Sequence, residues 1–220
     1  MINSTERQLT LSGWLKNNNV EEYHSPLKLQ KFLLFYELFT KVSGETADFN
    51  HLRGYKRGPV FSNVWGDYTK ERFAFNRAAD NAFREHLNMV NEIRAKKTAF
   101  IVSVLSEREL SDLTHTLNLW RSKKERILSD EYQVTLEEKD FSSDDAAIME
   151  LLDEMYPIEM IEKSERISID NITFVLPKED FANLTEEMLD VLSELAEKHE
   201  KNELHNPVYV TIEEGRLVID

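Results

Sequence analysis

Arg53, Lys56 and Arg57 interleave with Tyr55, Phe61 and Trp65 in the segment HLRGYKRGPVFSNVW at 51–65. Cations beside aromatic rings are the side chains that hold a phosphate backbone and stack its bases. The same residues also describe a loop whose aromatics enter a core and whose cations are solvated or paired with acidic groups, and this is the simpler reading. His199 and His205 lie beside Glu197, Glu200 and Glu203. These are metal-ligating types, but a charged helix end and the loop after it account for them with less. Asp144 and Asp145 have the types of an acid–base pair. Adjacent residues on a helix do not face each other, so stabilisation of a helix N-terminus explains them better. His115 and Trp120, five positions apart, read as a packed imidazole near a helix end. The sequence has no glycine-rich phosphate loop, nucleophile elbow, zinc-protease motif or calcium loop. The expectation is therefore a binding protein rather than an enzyme, with no catalytic residue, cofactor or metal.

The elements that would position these residues are mostly helical. Residues 5–17 predict a first helix with Leu9, Leu11, Trp14 and Leu15 on one stripe, ended by the asparagines at 17–19. In the next segment Ser25 is a good N-cap, Pro26 a good first helical residue and Gly44 a good residue past the end. Leu29, Phe32, Leu33, Phe35, Tyr36, Phe39 and Val42 cover most of that helix, which predicts a central, buried one. Gly54, Gly58 and Pro59 argue for a short extended stretch and a turn, followed by a helix from Phe61 or Ser62. Helices are expected over 75–95, 98–120 and 142–155. Beyond Pro157 the pattern alternates, with Asp170-Asn171 as a two-residue hairpin turn. Thr185 caps an amphipathic helix over 185–202 whose stripe is Met188, Leu189, Leu192, Leu195 and Ala196. Two strands about Gly215 close the chain.

The chain has 220 residues with 27 basic and 41 acidic side chains, a net of −14. That balance argues against nucleic acid and against an anionic membrane surface, and favours a basic protein as partner. The charge is uneven. Residues 1–110 carry +3, residues 111–220 carry −17, and residues 158–220 alone hold 6 basic and 16 acidic side chains, a net of −10. The absence of cysteine removes disulfides and thiolate chemistry. With no secretory signal or long apolar run, it fits a cytoplasmic protein.

The spaced segments SPLKLQKFLLFYELF and YKRGPVFSNVW resemble the Panacea domain, the antitoxin domain that includes SocA-like proteolytic adaptors. The positions that carry the likeness are Lys28, Leu29, Gln30, Lys31, Phe32, Leu33, Phe35 and Tyr36, then Tyr55, Gly58, Pro59, Val60, Val64 and Trp65. ELSDLTHTLNLW is similar to a third family segment through Leu110, Ser111, Leu113, Thr114, His115 and Trp120, with Leu119 where the family often has Pro. SSDDAAIMELLDEMY resembles the closing helix. The likeness spans roughly residues 5–156 and leaves 158–220 uncovered. It implies a helical Panacea-type domain over 1–157; with the alternating pattern, the helix and the acidity read beyond Pro157, the expected fold is mainly α with a small acidic C-terminal α+β (strand–helix–strand) extension over 158–220. It further implies an antitoxin of a bacterial or phage toxin–antitoxin pair that binds a cognate protein toxin. A proteolytic adaptor serving a AAA+ protease, or a nucleic-acid-binding regulator, are the alternatives. Homo-oligomerisation stays open. The motif residues themselves read as scaffold or partner-binding positions.

Overall fold

The computed structural model describes residues 1–129, 131–199 and 206–219, with the backbone alone at Lys198 and His199. Thr5 and Gln8 close a reciprocal capping box that starts α1 (Glu6–Asn18). After a short α2 (Val20–His24), Ser25 accepts a bond from the Lys28 amide and Pro26 opens α3 (Pro26–Val42). Residues Leu27 and Leu29 to Thr40 of α3 are all buried, as its all-round apolar pattern requires. Each fully buried Leu or Phe there contributes roughly 1.5–3 kcal/mol of transfer free energy. The chain then forms a hairpin, β1 (Leu52–Tyr55) and β2 (Gly58–Phe61), where a single extended stretch was expected. The new helix begins at Ser62, as α4 (Ser62–Lys70).

Two of the expected helices are each broken. The span 75–95 divides into α5 (Arg72–His86) and α6 (Glu92–Val104), with a 3₁₀ turn at Leu87–Met89 between them. The break is chemical: the Asn91 side chain accepts from the Arg94 amide and so starts a new helix. The span 98–120 divides because Ser106 and Glu109 form a capping box. This gives α7 (Glu107–Thr116), and Leu117 in extended conformation precedes α8 (Asn118–Arg121). α9 (Lys124–Leu128) and β3 (Val134–Thr135) follow, and β3 joins the free side of β1, giving the order β2-β1-β3. α10 (Ser143–Met155) starts from Ser142, whose capping box uses Asp145.

After Pro157 come α11 (Ile158–Lys163), β4 (Ser164–Ile169), β5 (Ile172–Pro177), α12 (Lys178–Ala182), α13 (Glu186–His199), β6 (Val208–Glu213) and β7 (Arg216–Ile219). β4 and β5 are antiparallel about Asp170-Asn171, with Asp170 at φ 53°. β5 and β6 run parallel with α13 between them in sequence, and β7 returns antiparallel. Two cores result. The larger gathers α1, α3, α6 and α10 with their neighbours. The smaller holds Ile172, Phe174, Leu176, Leu192, Ala196, Val208 and Val210. β5 joins them, because Val175 on its opposite face lies in the larger core. Met160 and Ile161 of α11 also pack on the larger core, so that core continues past Pro157. Among the described residues, no helix is long and apolar enough to cross a membrane.

Candidate functional site

The β1–β2 hairpin is held by side chains from two segments remote from it in sequence, α3 and the α7–α8 stretch. From α3, the Gln30 amide pairs with the Phe61 backbone: its oxygen accepts from Phe61 N at 2.8 Å and its nitrogen donates to Phe61 O at 3.5 Å. The amide thereby satisfies an edge-strand residue that lacks a further strand. One position on, Lys31 Nζ donates to Arg57 O and to Thr114 Oγ1, both at 3.0 Å. Thr114 sits on α7 with its own hydroxyl against Leu110 O and Ser111 O. From α8, the Trp120 indole donates to Tyr55 O at 2.9 Å. Trp120 packs with Ile127 and Val134, and the His115 ring lies on it with centroids 4.1 Å apart.

Gly58 is the point where these contacts meet. Its φ is +100°, in the region that side-chain-bearing residues avoid. A Cβ there would stand 2.4 Å from Lys31 Nζ and 2.5 Å from Thr114 Oγ1. Pro59 pairs with Gly54 in the hairpin register, where its missing N–H is confined to an edge strand.

Lys31 is fully buried. Burial, reinforced by the Arg57 charge, lowers its pKa from 10.5 to about 7. Two of its three donor directions are used, both on neutral acceptors. Burial, and then the Lys31 charge, also push the His115 imidazole below its ordinary value. Its Nε2 is buried without a hydrogen-bond partner among the described residues.

Beside the hairpin lies an open cavity of about 580 Å³. The first turn of α3 supplies Pro26 and Leu27, the hairpin supplies Tyr55 and Val60, and Trp65 and Ile127 complete the apolar wall. Tyr132 stands at its mouth, 85% exposed, and Trp65 is 42% exposed. Glu107 and Glu131 lie on the rim, paired with Arg57 at 3.1 Å and with Arg126.

The structure thus brings Gln30, Lys31, Tyr55, Gly58, Pro59, Thr114, His115 and Trp120 together, with Val60 and Trp65 on the adjoining groove. Other motif residues lie elsewhere: Leu29, Phe32, Leu33, Phe35, Val64 and Leu110 are core. Tyr36 accepts from the Asn91 amide at 2.9 Å, between the guanidinium groups of Arg7 and Arg94. Lys28 is on the side of α3 that meets Glu22 and Arg166, and burial lowers its pKa. The interleaved cations and aromatics divide as well: Phe61 is core, Arg53 bonds Leu52 O, and Arg57 pairs with Glu107.

Asp145 caps two helix starts at once. Its carboxylate accepts from Asn118 N at 2.5 Å, and from Leu119 N and Ser142 N, each at 3.0 Å. Sequence reading missed Ile127, Glu131 and Tyr132. The one signal was an aromatic residue in a polar loop, and only the pairing of Gly54 with Val134 carries that loop to the groove. No group of three metal-ligating side chains occurs among the described residues. His205 and the side chain of His199, read as part of a charged helix end and the loop after it, lie outside the described residues. No family model, curated protein or solved structure matches the chain.

Proposed function

We propose that this protein is a Panacea-like antitoxin that neutralises a protein toxin by binding it directly, without catalysis of its own. The observation that carries the reading is the convergence of the three motif segments on one hairpin. Lys31 and Thr114, 83 residues apart, meet there at Gly58. A scaffold of that kind holds a binding surface rigid while the surface itself varies, and a rigid surface loses less entropy on association.

Charge supports a basic partner. On the outer face of α13, Glu186, Glu187, Asp190, Glu194 and Glu197 are exposed, without an ion pair among the described residues. An acidic face speeds capture of a basic toxin, such as one that acts on RNA, nucleotides or ribosomes. The proposed setting is the cytoplasm of a bacterium.

Co-expression with the product of the adjacent gene tests the reading. Growth arrest by that product alone, relieved when this chain is present, is the expected result. A harmless neighbour, or one that still arrests growth beside soluble antitoxin, overturns it.

A further inference from the structure

We propose that the groove beside the hairpin receives an extended, proline-containing segment of the partner protein, with a basic residue flanking the prolines. This rests on the protein-binding role argued above. Three aromatic side chains, Tyr55, Trp65 and Tyr132, stand around a cavity whose remaining walls are Pro26, Leu27, Val60 and Ile127. Two of those rings carry a donor with no protein acceptor among the described residues, while the Tyr132 hydroxyl accepts from Gln133 Nε2 at 3.4 Å. Neither the Trp65 indole N–H nor the Tyr55 hydroxyl has a hydrogen-bond partner among the described residues. The other two tryptophans differ: Trp14 and Trp120 are 2% exposed and both indoles are bonded.

The backbone chemistry of the occupant follows from what the groove offers. A strand added to the hairpin edge would need free backbone groups. Gln30 already occupies Phe61 N and O, Lys31 occupies Arg57 O, and Lys123 occupies Thr135 O on the far strand. A helix brings carbonyls that are already bonded within itself. A polyproline-type segment brings carbonyl acceptors with no internal partner, and its prolines carry no N–H to leave unsatisfied. Its rings pack against aromatic faces, and its preformed shape loses little entropy on docking.

Charge complementarity sets the flank. Glu107 and Glu131 stand on the rim along with Lys56 and Arg57, the two carboxylates 42% and 44% exposed and in surface ion pairs that contribute little. A basic residue of the ligand can take over either carboxylate, and the net charge of −14 favours its approach.

Trp65 is the reporter, being the exposed tryptophan. The full-length protein is titrated with synthetic dodecapeptides containing a Pro-Leu-Pro-Pro core and Arg at one end or the other. Controls are the same peptides with Gly for Pro, and oligothymidylate. We expect the tryptophan emission to shift and saturate with at least one proline peptide. The glycine control and the Tyr132→Ala variant should each bind about tenfold more weakly, a difference of about 1.4 kcal/mol.

Equal binding of the glycine control, no saturable response to any proline peptide, or a response to oligothymidylate in their place overturns the proposal. The wider antitoxin reading is separable from it. If Trp65→Ala combined with Tyr132→Ala still neutralises the toxin fully, the groove is not the docking site and the antitoxin reading stands. If the unaltered protein never neutralises the toxin, that reading fails while the peptide titration still decides the groove.

Discussion

At Gly58 the backbone angle and the neighbours act together. The φ of +100° strains any residue with a Cβ, and the space that Cβ would fill is held by Lys31 Nζ and Thr114 Oγ1. Gly58→Ala is expected to cost roughly 2–4 kcal/mol in urea unfolding, from backbone strain and overpacking combined.

Lys31 gives a different kind of signal. Its pKa in the folded protein is about 7, below the 10.5 of an exposed lysine. Between those values the unfolded chain binds more protons than the folded one, so stability rises with pH through that window. It is lost as pH falls towards 7 and changes little further below. For one proton the slope is at most about 1.4 kcal/mol per pH unit. Lys31→Met should flatten it, as read from denaturation midpoints between pH 7 and 9.5; an unchanged slope would mean that Lys31 is not its source.

Part of this site was legible residue by residue. Gly54, Gly58 and Pro59 excluded a helix from the segment, although the turn expected at Gly58-Pro59 falls at Lys56-Arg57 and Gly58-Pro59 opens β2. Gln30 and Lys31 were legible only through the motif they belong to. What they grip was not legible, because Thr114 and Trp120 reach the hairpin only through packing across more than fifty residues of chain.

Among the elements, the strongest local signals survived folding. Ser25 and Pro26 start α3, Asp170-Asn171 turns β4 into β5, and Thr185 accepts from the Met188 amide at the start of α13. The failures have a common cause. The spans 75–95 and 98–120 keep apolar residues at helical spacing across their breaks, and the breaks come from Asn91, Ser106 and Glu109, capping types that also occur within helices. β2 escaped notice because four residues ending in Pro-Val-Phe are too short to alternate visibly.

Asp145 belongs to this scale, since one carboxylate joins the starts of α8 and α10. Asp145→Ala leaves buried helix amides without an acceptor, and we expect a loss of roughly 2–4 kcal/mol. Asp144→Asn, on an exposed neighbour, should stay within about 0.5 kcal/mol. Thermal unfolding of the two variants side by side checks this, and equal losses would contradict the capping role.

Across the whole molecule, the acidic C-terminal part is attached through packing as well as through chain continuity. Val175 lies in the larger core, Arg166 meets Glu22 at 3.5 Å, and Asn206 donates to Glu109 at 3.0 Å. Deleting 158–220 would therefore uncover core surface as well as remove charge, so charge substitutions make the cleaner test. Changing Glu187, Asp190, Glu194 and Glu197 to Gln should slow association with a basic toxin about tenfold and flatten its salt dependence, with dissociation little altered. Stopped-flow binding at two salt concentrations would read both rates.

The near-neutral helical body and the acidic tail were visible in the sequence as a difference in composition. That β5 would serve both cores was not, because Ile172, Phe174 and Leu176 read as one apolar face while the other offers Val175 alone beside Thr173.

The central claim is that the protein blocks a toxin by holding it. Its most direct measurement follows the neighbouring gene's product in cells, by affinity capture on this chain and by half-life after synthesis is stopped. We predict co-purification in a fixed ratio, loss of toxicity and an unchanged half-life. Failure of the two to co-purify, or a half-life shortened by this chain as delivery to a protease would produce, contradicts the account.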